Sequence, residues 1–281
     1  MSKKNVMVGQ SGGPTAVINS SLAGVYKVAK DRGADTVYGM LHGIQGLLED
    51  KYVDLSEHIH TDLDIELLKR TPSSFLGSCR YKLPDSKDKP EIYEKIFDTL
   101  NRLEIDSFFY IGGNDSMDTI NKLSDYALEK GSKIHFIGVP KTIDNDLAVT
   151  DHTPGFGSAA KFIGTVTKEV IRDGLVYDAN VVTVMEIMGR NAGWLTGAAA
   201  LAKCEDCEGP DLLYLPEVEF DVQKFVDSVK EIMKKKRSII VAVSEGIRLG
   251  DGRYVCELTD AASQVDSFGH RTLAGAARFL A

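Results

Sequence analysis

Only four cysteines, Cys79, Cys204, Cys207 and Cys256, occur in 281 residues. So few in so long a chain do not make a disulfide framework. No apolar run approaches the ~18 residues of a membrane helix. The opening "MSKKNVMVGQ" carries two lysines but no apolar stretch, so it does not read as a secretory signal. The expected compartment is therefore the cytoplasm, with no membrane partner. Basic residues are also in deficit, 33 Lys and Arg against 41 Asp and Glu, for a net charge of −8. That balance excludes a general basic surface for nucleic acid and leaves room for a small anionic ligand held by local cations. The chain shows neither a short repeat nor a low-complexity tract. With 43% hydrophobic and 26% charged residues it has the composition of an ordinary globular protein. Its length allows one large domain or two moderate ones, each able to bury a core.

What is present is an alternation. Short apolar, β-rich runs at 5–9, 36–41, 107–113, 133–139, 181–187, 212–216 and 238–244 predict strands. They are almost continuously apolar, as parallel strands covered on both faces are. Helical periodicity fills the intervals. Its clearest case is 221–236, where Val222, Phe225, Val226, Val229, Ile232 and Met233 make one stripe behind Asp221 as N-cap. The basic end of that helix, 234–237, matches the polarity of a helix C-terminus. A second helix is predicted to open at Thr153-Pro154, and a third at Asp115 or Ser116, running to about Gly131. The pattern predicts an α/β fold with mostly parallel sheets. Residues 50–100 and 246–266 read as the least regular.

Ligands of such sheets bind beyond the carboxyl ends of the strands. Three loops there are unusual. "GQSGGPTAVINSS" follows the first strand, and its Gly12-Gly13 suits either a tight strand-to-helix turn or an anion held by backbone N–H groups. "YIGGNDSMDT" repeats the arrangement at 110–119, with Asp115 and Ser116 also acceptable as N-caps. Two Gly-Gly strand ends in one chain favour a phosphate cradle. In "GVPKTIDND", 138–146, a lysine stands beside two carboxylates. Thr142, Asp144 or Asn145 could cap a turn. A cation with acids at a strand end also suits phosphoryl transfer, with one carboxylate for a hydroxyl proton, another for Mg²⁺ and the lysine for phosphate oxygens.

"GGNDS", "PKTIDND" and "MEIMGRNAGWLT" (185–196), in this order, resemble the phosphofructokinase family, as do "SGGPTAVIN", "FLGSCR" (75–80) and "LPE" (215–217). The resemblance spans residue 5 to about 246 and implies two Rossmann-like, three-layer αβα units with mostly parallel sheets. It divides the chain into a phosphoryl-donor domain (1–139), a fructose 6-phosphate domain (140–250) and an incomplete return segment toward the first domain (251–281). It implies that Asp144 takes the proton of the sugar's 1-hydroxyl, that Asp146 serves the metal and charge network, and that Arg80 bridges donor and acceptor phosphates. Gly12, Gly13, Gly113, Asn114, Asp115 and Ser116 match the donor phosphate loops. Thr142, Asp144, Met188, Gly189, Arg190 and Glu217 match the sugar-phosphate site. Mg²⁺ is the implied cofactor, with Asn114 and Asp146 as its ligands.

Relatives that use ATP usually carry glycine where this chain has Lys141 and Gly-Gly-Asp-Gly where it has Gly-Gly-Asn-Asp. The pattern is similar to the pyrophosphate-dependent branch. A carboxylate at Asp115 repels an α-phosphate, and Lys141 stabilises the leaving phosphate. The implied partners are fructose 6-phosphate and pyrophosphate, with ATP as the alternative donor, in a homodimer or homotetramer. Three departures stand out. Asn114 replaces a frequent metal-binding aspartate; 176–182 lacks an expected arginine; and the family continues past "GHRTLAGAARFLA" to a further strand. The last makes a C-terminally truncated chain an expectation, and with it a catalytically silent sugar-phosphate-binding or assembly module as an alternative function.

Other features are expected to be structural. Cys204-Glu205-Asp206-Cys207 has half the spacing of a zinc site without a second pair, so a surface turn is predicted. Trp194 is expected in the core, and His58 and His60 on an exposed strand. His42 lies in a strand-to-helix loop that could border the donor.

Overall fold

A computed structural model of the chain describes residues 4–259 and 275–281. Its packing divides the chain into two compact units, Met1–Thr142 and Ile143–Ala281.

The first unit carries strands β1 (Asn5–Gln10), β2 (Val37–Met40), β3 (Tyr52–Asp54), β4 (Ile105–Gly112) and β5 (His135–Pro140) in the sheet order β3-β2-β1-β4-β5. All neighbours run parallel except the edge strand β3, which pairs antiparallel with β2. Alternation along the strands assigns the two faces. Val6, Val8 and Ile111 point toward helices α1 (Ile18–Asp31) and α3 (Asp62–Arg70). Met7, Phe108 and Tyr110 point toward α4 (Pro90–Arg102) and α5 (Asn114–Glu129), which follow the short α2 (Gly43–Leu47) and α3 in chain order. Both faces are dry, which is why these strands read as unbroken apolar runs.

The second unit repeats the plan on a smaller scale. Strands β6 (Val181–Ile187), β7 (Leu212–Tyr214) and β8 (Ser238–Ser244) form a parallel sheet of order β6-β8-β7. Ile239, Val241 and Val243 face α8 (Val222–Met233) and α9 (Ala276–Leu280). Ile240 and Ala242 face the other way, toward α6 (Phe156–Gly174) and α7 (Trp194–Ala198). Asp221 caps α8 by accepting from Lys224 N at 3.0 Å. The basic end of α8 is tied into this unit by a Lys236–Asp211 pair at 2.5 Å and an Arg237–Asp178 pair. The described part of the 251–281 segment packs on this unit, where Glu186 accepts from Gly275 N and Ala277 N at the start of α9.

Several local expectations are corrected. α6 opens at Phe156, not at Thr153-Pro154, because Gly155 has φ +119 and the Thr153 amide is bonded to Asn145 Oδ1 at 2.9 Å. α5 opens at Asn114, one residue early, with Gly113 as its cap. His58 ends a 3-10 turn and is not on a strand. Trp194 opens α7 and is 59% exposed, not in the core. The region 50–100 holds β3, α3 and α4. No helix among the described residues is long and apolar enough to cross a membrane.

Candidate active site

In the first unit the chain order of the sheet reverses between β1 and β4, the place where open α/β sheets leave a crevice beyond the strand ends. Both Gly-Gly loops start there. Ser11 N donates to Ile111 O at 2.9 Å, and the Ser11 and Ser116 hydroxyls are hydrogen-bonded. This close approach needs Gly112, since a Cβ there would lie 2.0 Å from Ser116 Oγ. Gly12 turns the first loop with φ +76, and the space above Gly13 is open. Asn114 and Asp115 are exposed on the first turn of α5, whose N-terminal amides favour anions.

Lys141, immediately after β5, is 5% exposed, and its ammonium donates to Gly13 O in the first loop. Its backbone N donates to Gly112 O at 2.9 Å, in the second. One lysine therefore touches both Gly-Gly loops.

The stretch leading to Arg80 is fixed by two buried amides that motif reading passed over. Gln10 Oε1 accepts from Leu76 N at 2.9 Å and Ser74 Oγ at 3.0 Å, while Gln10 Nε2 donates to Asn19 Oδ1 at 2.9 Å and Ile18 O at 3.2 Å. Asn19 accepts from Phe75 N and donates to Thr71 O, both at 2.9 Å. Gly12 N donates to Cys79 O at 3.0 Å, and Arg80 is exposed just beyond. His42 borders this stretch, its ring against Gly77, where a Cβ would come within 2.5 Å of Nδ1. Burial raises the Tyr110 hydroxyl far above the ordinary phenol range; that group accepts from Ile44 N at 3.2 Å and so serves as a neutral support.

Thr142, half-buried, ends the first unit, and the second holds Asp144, Asp146, Met188, Gly189, Arg190 and Glu217. Asn145 has φ +58, and its side chain accepts from Thr153 N and donates to Asp151 O at 3.1 Å, closing the loop around Asp146. Asp144 is half-buried and Asp146 exposed. Gly189 has φ +135, and a Cβ there would lie 2.4 Å from Ala192 O. Its carbonyl accepts from the buried Ser244 hydroxyl at 2.6 Å, which in turn accepts from Gly246 N at 3.0 Å. Met188 and Arg190 flank it, both exposed. Glu217 accepts from Gly193 N at 2.7 Å and so braces the loop after Arg190.

Sequence reading missed Glu245. It stands directly after β8, accepts from Gly189 N at 3.3 Å and faces both Asp144 and Arg190. Burial raises its pKa and the Asp144 carboxylate adds to the shift, against the Gly189 N–H and Arg190, which lower it. A polar Ser-Glu-Gly at the end of the most apolar strand was the available signal. Two acids and an arginine around a glycine turn can hold a phosphate-bearing polyol and accept a proton.

Among the described residues no group of three or more His, Cys, Asp or Glu side chains could hold a metal by itself. The exposed side-chain oxygens of Asn114 in the first unit and of Asp146 in the second are, each by itself, of the kind Mg²⁺ takes, since that ion uses few protein ligands and keeps water and phosphate oxygens as the rest.

Comparison with known proteins matches the chain over nearly its whole length. The Phosphofructokinase family model covers residues 5–280. The chain is 44% identical over 271 residues to the pyrophosphate–fructose 6-phosphate 1-phosphotransferase of Rhodospirillum rubrum, covering 96% of the chain and 64% of that protein. It is 41% identical over 283 residues to the enzyme of the same name from Xanthomonas campestris, covering 100% of the chain and 66% of the relative. The crystal structure of a pyrophosphate-dependent phosphofructokinase from Nitrosospira multiformis is similar with TM-score 0.80 at 40% identity, covering 89% of this chain and 62% of that one. The chain thus spans slightly less than two thirds of the length of these relatives. By the family match over nearly its whole length, and by identities above 40% to relatives that share it end to end, the chain belongs to the phosphofructokinase family.

Proposed function

We propose that the chain carries the binding and proton-transfer residues for Mg²⁺-dependent transfer of a phosphoryl group from pyrophosphate to the 1-hydroxyl of fructose 6-phosphate. The observation that carries this reading is Lys141, a buried cation bonded to Gly13 O and to the backbone of the second Gly-Gly loop. A charge placed there stabilises the phosphate that leaves when the donor has no nucleoside to anchor it. The names of the relatives at 40–44% identity support the same donor.

The first unit binds the donor at Gly12, Gly13, Gly113, Asn114, Asp115 and Ser116, with amides at the start of α5 as phosphate ligands. Asp115 excludes an α-phosphate by charge and volume. The second unit binds fructose 6-phosphate through Met188, Gly189 and Arg190, with Asp144 touching the sugar; Thr142, the last residue of the first unit, is a further sugar ligand by the resemblance. Asp144 accepts the hydroxyl proton. Glu217, steadied by Gly193 N through one oxygen, belongs to the same sugar-phosphate site, and Glu245 adds a second acid beside Asp144. Arg80 presents a planar guanidinium to the phosphates. Asn114 and Asp146 are each candidate oxygen ligands for Mg²⁺, an ion that would neutralise phosphate charge as it develops.

The test is a donor comparison followed through fructose 1,6-bisphosphate formation, with the chain extended to the length of its relatives as a parallel sample. Turnover with pyrophosphate and none with ATP is expected; turnover with ATP alone overturns the donor. Asp144→Asn should lower kcat by about 10²–10⁴ with KM little changed, and near-normal kcat removes Asp144 as the base.

A further inference from the structure

Outside the loops described above, the second unit contains a paired-cysteine hairpin beside a surface pocket of about 770 Å³. Cys204 and Cys207 face one another across a two-residue turn, Glu205-Asp206. Cys204 N donates to Cys207 O at 2.9 Å, and Cys207 N donates to Cys204 O at 3.2 Å. A mutually bonded antiparallel pair sets its Cα atoms about 5.5 Å apart, inside the roughly 4.4–6.8 Å range of disulfides. Its side chains share one face with Cβ atoms about 4.5–5.5 Å apart, so closure needs a contraction of roughly 1 Å. Strain of that order makes a disulfide easier to reduce again.

The two thiols have unlike surroundings. Cys204 is exposed; Cys207 is buried with Ile171, Ala202 and Ile240. Lys168 on α6 brings its ammonium to 3.1 Å from Cys204 Sγ, and Cys204 donates to Asp206 at 3.0 Å. Asp206 is also paired with Lys168 and Arg172. Hydrogen bonds from Cys204 and Lys168 hold its carboxyl far below the usual range, so the acid is charged. The exposed sulfur therefore lies between the Lys168 ammonium, which can steady a charged sulfur during exchange, and the Asp206 carboxylate, which takes the thiol's hydrogen bond.

We propose that Cys204 and Cys207 form a reversible thiol–disulfide site, with Cys204 as the attacking sulfur and Cys207 as the resolving one. A small-molecule disulfide, RSSR, is the oxidant. The Cys204 thiolate attacks one sulfur of RSSR, forming Cys204–S–SR and expelling RS⁻. The Cys207 sulfur, its proton lost to solvent, attacks Cys204 Sγ and expels the second RS⁻. Two protein thiols are oxidised, RSSR is reduced to two RSH, and the two protons released are those taken up by the thiolates.

The chain would be equilibrated in buffers of graded reduced and oxidised glutathione, quenched with acid and digested with trypsin. Cys204 and Cys207 lie on one tryptic peptide, which should lose two hydrogens in a single transition, while the buried Cys79 and Cys256 stay reduced. Cys207→Ser should stop at a stable glutathione adduct on Cys204, and Cys204→Ser should remain unmodified at Cys207. Lys168→Gln should slow alkylation of Cys204 by on the order of tenfold, because the cation 3.1 Å from the attacking sulfur is lost. Free thiols in the most oxidising buffer, adducts that never close in the unaltered chain, or equal reactivity of Cys207 in Cys204→Ser would each overturn the proposal.

Discussion

Replacing Gln10 with leucine keeps nearly the same volume and removes four hydrogen bonds at a fully buried position. The losses are unequal. Ser74 Oγ keeps its bond to Gly77 O and Asn19 Oδ1 keeps Phe75 N, so both stay partnered. The buried Leu76 N–H loses Gln10 Oε1, at a cost of about 1–3 kcal/mol for a donor left without its acceptor. With the weakened neighbours, the total is about 2–4 kcal/mol. Because two units can unfold separately, a reporter inside the first unit is needed. Cys79 is buried at the end of the same stretch, and alkylation of native protein reads its opening once Cys204→Ser removes the exposed thiol. Gln10→Leu should speed Cys79 labelling by roughly thirtyfold to a thousandfold, at 1.4 kcal/mol per decade. Gln10→Glu keeps the acceptor and buries a charge, so it should be as fast at pH 8 and slower at pH 5, where the protonated acid donates again. A change under about threefold in Gln10→Leu would refute the assignment of Gln10 as the anchor of the Arg80 stretch.

The acid at Glu245 is raised in the folded state, so it binds its proton more tightly there than when unfolded. Stability from this group therefore falls as pH climbs above the ordinary carboxyl value of 4.5. Glu245→Gln should raise Tm at pH 8 and leave it unchanged below about pH 4, while fructose 6-phosphate binding, read by calorimetry, weakens. Asn145→Gly and Asn145→Ala lose the same two bonds, but only glycine takes the left-handed backbone without strain; chemical denaturation should separate them by about 1 kcal/mol in favour of glycine. Gly246→Ala would set a Cβ 2.0 Å from Arg190 O, and should raise the KM for sugar phosphate more than it lowers kcat.

Much of the fold was readable because the strands are buried on both faces. β8 has all seven residues buried, and no helix of that length presents such a run. Asp221 was readable as a cap because its partner, Lys224, lies three residues away. The start of α6 was not, since the group that withdraws the Thr153 amide is the side chain of Asn145, eight residues upstream. β3 is three residues long and exists only through its pairing with β2. At the candidate site, glycines and charges at strand ends announced themselves. Gln10, Asn19 and Ser244 did not, because an amide or hydroxyl inside an apolar stretch gives no local sign of what it will hold. Glu217 and Glu245 show the same limit from the other side: two glutamates follow two strands, and only the fold tells which faces Asp144 and which braces a loop.

The anchoring of residues 74–79 has a consequence for motion. By shape this stretch is a loop, and loops ordinarily exchange their amide hydrogens through small local openings. Here the Phe75 and Leu76 amides bond to side chains rooted in α1 and β1. Their hydrogens can exchange only when the sheet's own margin yields, so they should be protected like core amides. The guanidinium of Arg80 is thus delivered on a stiff mount, and little conformational entropy is left to lose when phosphate arrives.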